Sequence, residues 1–347
     1  MNFPRISIVI PSYNQGQFLE ETILSVINQQ YPNLELFVID GGSNDNSVDI
    51  IKKYEKYITW WISEKDKGQS DALNKGFKKA TGEIINWLCS DDLLVPGALR
   101  QVAEIFSSQP GDTGLIHGGT TFFMNNKIIR DDWGASDHAA ERYFAGMAFS
   151  QPSAFFLKKY FDITGGHLTE SLHYGMDFDL YSRLACICRF IAVKNIFSKY
   201  RLHESSKSVA EEHRFSDDWS RTFINLCKNL NWDDLLLELK EPGVVDEKLL
   251  SFYYPFPFRP NDAITTNIRK KKILLYHFCI LLRSYYHTGN RHKAAILGRY
   301  LKKKYPRELL LSEKYIPEIF TRLKIPESLL RLILALKKML AGKINQS

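Results

Sequence analysis

Strand-like and helical segments take turns over the first hundred residues with a regularity that leaves few folds open. Ile6-Ser7-Ile8-Val9-Ile10 and Leu34-Glu35-Leu36-Phe37-Val38-Ile39 are short, apolar, β-branched runs, and between them Leu19, Ile23, Val26 and Ile27 recur at helical spacing. The alternation continues with a helix over 47–54, a strand over 59–63, a helix over 70–79, a strand over 83–89 and a helix over 96–106 with Pro96 at its start. This pattern predicts an α/β fold, a mostly parallel sheet sandwiched between helices. Ligands of such sheets sit at the carboxyl ends of the strands, so the residues just after Ile10, Ile39, Ser63 and Cys89 are where chemistry is expected.

Beyond Gly111 the pattern changes to a hairpin around Asn125-Asn126, a strand over 153–157, a helix bearing Phe178, Leu180, Tyr181 and Leu184, and a strand over 190–193. From about residue 210 the β signal nearly disappears, and a Pro-rich, aromatic break over 253–260 reads as a linker or a crossing loop. We therefore expect a catalytic domain over 1–210 and a basic, mostly helical region over 211–347. Charge follows the same division. Residues 1–210 carry 21 Lys and Arg against 24 Asp and Glu, whereas 211–347 carry 25 against 15, and 269–347 alone hold 19 against 4. That excess implies an anionic partner such as a lipid surface; nucleic acid is the weaker choice, because no binding module accompanies the charge.

At 44% hydrophobic and 24% charged, 347 residues have the composition of a core-forming protein, not of a disordered or collagen-like one. Five cysteines with one Cys-x-Cys pair in a helical pattern support neither a disulfide framework nor a zinc ribbon, which implies a reduced, cytoplasmic protein. The N-terminus lacks signal-peptide character, and no apolar run approaches the roughly 20 residues of a spanning helix. A membrane-associated form would lie on the inner face of the bilayer. The stretch 329–340, which sets Leu against Lys and Arg, is the helix expected to do so. The competing account packs its leucines on neighbouring helices and leaves its charges as a wet face.

Each strand end carries distinctive residues. Pro11, Ser12, Tyr13 and Asn14 leave backbone groups free to meet a flat ligand. Asp40 stands at the tip of the second strand, where a carboxylate can accept a ring N–H of a nucleobase, and Gly41 and Gly42 allow close backbone approach. Asn44 to Asn46 read as an ordinary cap for the next helix. The segment after Ser63 packs Asp66 among lysines and glycines. A solvated loop explains its lysines, but less well the recurrence of Asp71, Asn74 and Lys75 on one helical face. Sharpest is Cys89-Ser90-Asp91-Asp92, because adjacent carboxylates repel unless they are well solvated or a cation sits between them. Hard oxygen ligands suit Mg²⁺ or Mn²⁺. Asp91 is the first choice for the metal and Asp92 the second, since Asp92 has the alternative of capping the following helix.

These segments together resemble the inverting nucleotide-sugar glycosyltransferases of family 2, with the GT-A fold, over roughly residues 4–210. The resemblance implies a hexosyl-type transferase that takes a nucleotide-diphosphate sugar, UDP-linked, and a glycan or lipid-linked acceptor in polysaccharide assembly for the cell envelope. It assigns nucleotide contacts to Pro11, Tyr13, Asn14, Asp40, Gly42, Asp66, Asn74, Lys75 and Ser90, with Asp40 on the base. The metal-holding Asp-x-Asp motif maps onto Cys89-Ser90-Asp91, so a thiol stands where an Asp or Asn is usual, and Gly41 replaces a second acid. Asp177, in Tyr174-Gly175-Met176-Asp177-Phe178-Asp179, matches the general base, against the plainer reading of a helix N-cap. His203 matches a histidine that reaches the diphosphate or its metal, and Gln151 and the region 138–150 fall where acceptor contacts occur. A processive synthase would add membrane spans and a Gln-x-x-Arg-Trp segment, which are missing here. The rival from another class is a catalytically inactive binding or scaffolding protein that keeps the fold without turnover, a reading raised by Cys89 and the helical tail.

Overall fold

The computed structural model describes residues 3–134, 139–204, 206, 211–311, 313, 315–326 and 329. A nine-stranded mixed sheet runs in the order β3-β2-β1-β4-β8-β6-β9-β5, with β7 on β6. The strands are β1 (Ile6–Ser12), β2 (Leu34–Asp40), β3 (Trp60–Ser63), β4 (Ile84–Trp87), β5 (Leu93–Leu94), β6 (Thr113–Met124), β7 (Lys127–Asp132), β8 (Ala154–Leu157) and β9 (Arg189–Arg201). The half from β3 to β4 is parallel, as the alternation predicts. The other half is mixed, because β8 runs antiparallel to both β4 and β6 while β6 and β9 are parallel.

The expected strand over 190–193 is far longer, since its later residues pair with β5 and with the second half of β6. Asn125 and Asn126 have φ of 48° and 61°, the type I′ geometry that matches the twist of the β6–β7 hairpin. Helix α4 (Ala98–Ser108) begins two residues after Pro96, with Gly97 in the left-handed region as its cap.

Every residue of β1 is buried, as a central strand with both faces covered requires. One face packs Ile6, Ile8, Ile10, Leu36 and Val38 against α1 (Gly16–Ile27), α2 (Ser47–Lys53) and α4. The other packs Val9, Phe37, Ile39 and Trp87 against α3 (Gln69–Lys79), α5 (Ala140–Ala145), α6 (Lys158–Ile163) and α7 (Met176–Ala185). That second core continues into α8 (Glu212–Asn229), α9 (Asp233–Lys240), α10 (Asp262–Thr265), α11 (Lys270–His287), α12 (Arg291–Lys304), α13 (Arg307–Leu311) and α14 (Ile316–Arg322). Helix α11 is buried on most sides: Ile273, Leu274, Leu275, Phe278, Leu281 and Leu282 are all inaccessible. His277 stacks on Phe223 at 4.0 Å.

The break over 253–260 is a packed crossing loop. Tyr254 and Phe256 donate backbone N–H groups to Asn225 Oδ1 and Asn229 Oδ1 at 2.9 and 2.8 Å. None of the five cysteines forms a disulfide. Among the described residues no helix is long and apolar enough to cross a membrane. The helix expected over 329–340 lies outside the described residues apart from Leu329.

Candidate active site

Register builds the site. Ser12 pairs with Asp40 and Asp40 with Ser63, so three strands end level, whereas β4 stops with Trp87 opposite Val9. The chain after β4 therefore turns at the carboxyl edge of the sheet. Asp92 donates its N–H to the Cys89 carbonyl at 3.0 Å, and β5 then pairs with β9. A cleft of about 450 Å³ opens there, of the size that small-molecule sites occupy. Pro11, Tyr13, Asp66, Ser90, Asp91, Asp92, Asp177 and Gln151 line it together. Two of its polar atoms, the buried Ser12 Oγ and Gln15 Oε1, have no hydrogen-bond partner among the described residues. A buried polar atom left this way costs free energy that a ligand group recovers.

The acids at the strand end are close-set. Ligand atoms of Cys89, Asp91 and Asp92 lie within 4.8 Å of one another. Asp92 is 1% exposed, and burial, followed by the neighbouring Asp91 charge, pushes its carboxyl well above the usual range. Among the described residues its Oδ1 accepts the Arg201 backbone N–H, at 3.1 Å, while the Arg201 guanidinium is turned to the Asp91 carbonyl and to Glu21. The two carboxylates fit a hard divalent ion, and the Cys89 thiol is the soft member of the set. His203 joins the group through Asp91, its Nε2 lying 2.8 Å from Asp91 Oδ2, and its ring packs on Phe18 at 4.7 Å.

Across the cleft, Asp177 stands in the first turn of α7, where Phe178 N–H donates to its Oδ1 at 2.7 Å. The helix terminus and that bond favour the charged form. Burial outweighs them, and with the nearby Asp218 and Asp179 it pushes the Asp177 pKa up to about 6. One edge of the side chain still faces the cleft. Asp179, two residues on, is locked away: it pairs with buried Arg183 at 3.0 Å and accepts from Thr169 and Tyr254. Arg183 in turn donates to the Thr164 and His167 carbonyls at 2.6 and 2.9 Å. The second acid thus anchors the helix that presents the first.

Five residues expected to touch nucleotide do not line the cleft. Asp40 is fully buried and accepts from Gly42 N–H, Ser43 N–H, Ser43 Oγ and Ser63 Oγ at 3.1, 2.9, 2.5 and 2.7 Å, so both of its oxygens are engaged inside the protein. Gly42, with φ of 81°, is part of the turn so formed. Asn14 bonds the same loop, its Oδ1 accepting Asn44 N–H at 2.8 Å. The Asn74 amide clamps both backbone groups of Leu168, at 3.0 and 2.7 Å, tying α3 to the segment that leads into α7. Lys75 pairs with Glu64 and Asp71. Gly41 has a different meaning from a missing acid: a Cβ there would meet Asp66 Oδ2 at 2.6 Å, so the glycine makes room for the Asp66 carboxylate. His173, Tyr200 and Phe215 also line the cleft, brought from late segments that give no local signal.

Residues 7–161 match the family model described as glycosyl transferase family 2. Over that segment, less than half of the chain, the protein is similar to family 2 glycosyltransferases. An uncharacterized glycosyltransferase of a Nostoc species is 34% identical over 129 residues, covering 36% of this chain, and the chain spans about two fifths (39%) of that relative. Among solved structures, a mannosyltransferase of Pyrobaculum calidifontis in complex with GDP-Man and Mn²⁺ has a TM-score of 0.55 at 15% identity, over 93% of this chain and 85% of that chain. TarS residues 1–349 of S. aureus in complex with UDP-GlcNAc gives 0.52 at 14% identity, over 87% and 93%. Both likenesses show the GT-A fold, and they cover 93% and 87% of this chain.

Proposed function

We propose that this glycosyltransferase moves a sugar from a UDP-linked donor to a hydroxyl of a glycan or lipid-linked acceptor with inversion at C1. The observation that carries the reading is the placement of Asp91 and Asp92 at a strand end and Asp177 at a helix start on the walls of one cleft. Inversion needs a carboxylate on the face of the sugar away from the leaving diphosphate, and we assign that role to Asp177, which lines the same cleft. Poised near 6, its carboxylate is mostly ionised at neutral pH and basic enough to take the proton of the attacking hydroxyl. Asp91 and Asp92 would hold a divalent ion, Mn²⁺ or Mg²⁺, which when bound stabilises negative charge on the departing phosphate. We assign His203 to orienting the Asp91 carboxylate and not to the metal itself, since it reaches the site through that carboxylate.

The base-reading role passes from Asp40, whose oxygens are all engaged, to Asp66, whose carboxylate lies over Gly41 and at the cleft wall. The solved neighbours hold GDP-Man in one case and UDP-GlcNAc in the other, and both support a nucleotide-sugar donor. The basic 269–347 segment supports a peripheral contact with anionic lipid on the cytoplasmic face. The donor is tested by thermal unfolding with UDP- and GDP-sugars, each with and without Mn²⁺. A ligand that binds only the folded state raises its stability, by about 2.7 kcal/mol at a hundredfold excess over Kd. UDP-sugars with Mn²⁺ are expected to raise the melting temperature most. No shift with any of them refutes the reading.

A further inference from the structure

The turn that carries Asp91 and Asp92 is held from outside by two side chains. Thr22, in the middle of α1 and fully buried, places its hydroxyl 2.8 Å from the Ser90 carbonyl and 2.9 Å from the Asp92 carbonyl. Arg201, the last residue of β9, donates its Nε–H to the Asp91 carbonyl between them at 3.0 Å. Three successive carbonyls thus end on two groups brought from distant parts of the chain. With the Asp92 N–H bonded to the Cys89 carbonyl at 3.0 Å, the peptide planes on both sides of Asp91 and of Asp92 are fixed, and only rotations about their side-chain bonds remain.

Neither contact is the default for its residue. A threonine inside a helix ordinarily turns its hydroxyl to the carbonyl four residues back, but here Phe18 O, at 3.4 Å, is farther than either carbonyl of the turn. An arginine beside two carboxylates ordinarily forks onto one of them. Arg201 instead meets Asp92 through its backbone N–H and sends its guanidinium to the Asp91 carbonyl and, at 2.5 Å, to Glu21. The rings of Phe18 and Phe123, 4.9 and 4.5 Å away, pack the guanidinium against the backbone of the turn. Phe18, Glu21 and Thr22 have the i, i+3, i+4 spacing of one helical face, and Phe18 also packs on His203, the partner of Asp91. Helix α1 therefore covers the sheet with Leu19, Ile23 and Val26 and braces the acidic turn with another face.

We propose that Thr22 and Arg201 are positioning residues for the divalent ion, which hold the Asp91 and Asp92 carboxylates close together by fixing the carbonyls of residues 90–92. Adjacent carboxylates repel, and a loose turn relieves the repulsion by splaying them into water. A braced turn keeps them close before the ion arrives, so that no binding free energy goes into ordering them. The two residues then set the affinity for the ion without touching it. The proposal rests on the metal-assisted transferase reading and adds to it the groups that preorganise the site.

The test is titration of the full chain with Mn²⁺ alone, read by electron paramagnetic resonance of the free ion, with melting curves on the same samples. Thr22→Val keeps the shape and loses the donor, and is expected to weaken Mn²⁺ binding about tenfold, whereas Thr22→Ser is expected to stay within about threefold of native. Arg201→Met is also expected to weaken it about tenfold, although removing a positive charge beside the ion would by Coulomb's law alone tighten it. Gln29, just beyond α1, donates to the Val95 carbonyl at 2.9 Å, past the turn. Gln29→Ala is therefore expected to lower the melting temperature and leave Mn²⁺ affinity within about twofold of native. Native-like or tighter binding in Thr22→Val or Arg201→Met, no recovery in Thr22→Ser, or an equal loss in Gln29→Ala overturns the proposal. If Thr22→Val does not fold, Arg201→Met decides. A native chain that binds no Mn²⁺ is a separate result, which removes the metal from the transferase reading and this proposal with it.

Discussion

Replacing Asp177 with Asn separates a carboxylate kept for chemistry from one kept for stability. The amide oxygen can still accept the Phe178 N–H that Asp177 Oδ1 accepts at 2.7 Å, and the shape is nearly unchanged. What disappears is an ionisable group whose pKa rises from 3.8 to about 6 on folding. A carboxyl raised in the folded state binds its proton more tightly there than in the unfolded chain. Its contribution is therefore fully present below about pH 4 and is lost as pH climbs through 6. That difference corresponds to about 3 kcal/mol, reduced to about 1–3 kcal/mol because one edge of the side chain faces the cleft.

Asp177→Asn is thus expected to melt higher than the native protein at pH 8, by about 1–4 °C given the unfolding entropy of a chain of this length, and to match it near pH 4. Transfer moves the other way. Loss of a general base costs about 10²–10⁴-fold in rate, and native kcat/KM is expected to rise with pH through an apparent pKa near 6 that the variant lacks. Melting curves across pH, together with release of nucleoside diphosphate from a turned-over donor, measure both. A variant that melts no higher than native at pH 8, or that retains more than about a tenth of the transfer rate, refutes the assignment.

The two acids near the nucleotide loop should divide in the same manner. Asp66→Ala is expected to weaken UDP binding about tenfold to a hundredfold with little change in melting temperature, whereas Asp40→Asn keeps an acceptor for the three donors on Oδ2 but loses their charge assistance, and is expected to lower stability by about 1–3 kcal/mol. Calorimetry and melting on both variants check this, and the reverse assignment of effects sinks the exchange of roles. At the metal site, His203→Ala is expected to weaken Mn²⁺ binding about 10–100-fold by releasing Asp91. Cys89→Asp is expected to tighten it by supplying a harder ligand. Titration by electron paramagnetic resonance measures both; Mn²⁺ affinity unaltered in Cys89→Asp would place residue 89 outside the metal shell.

Local pattern is enough to predict the strand–helix alternation to Phe106, the Asn125-Asn126 hairpin turn and the acids at the end of β4, because each depends on neighbours within a few residues. Asp66, Asp91, Asp92 and Asp177 stand out in the sequence on the same local grounds or by family resemblance, and they share one cleft. The role of Asp40 is decided by the fold, since only the Ser63 register and the turn through Gly42 and Ser43 bring four donors onto its oxygens. Asn74 likewise reads as a ligand contact in the sequence, but the fold places Leu168 against it, 94 residues away. Tyr200 and Phe215, which line the same cleft, carry no local sign of it at all. Periodicity and turn chemistry are short-range, so a sequence specifies its elements and the chemical types at their ends. Which of those groups are spent on one another, and which are left facing a cavity, depends on contacts between distant segments and is set only when they pack.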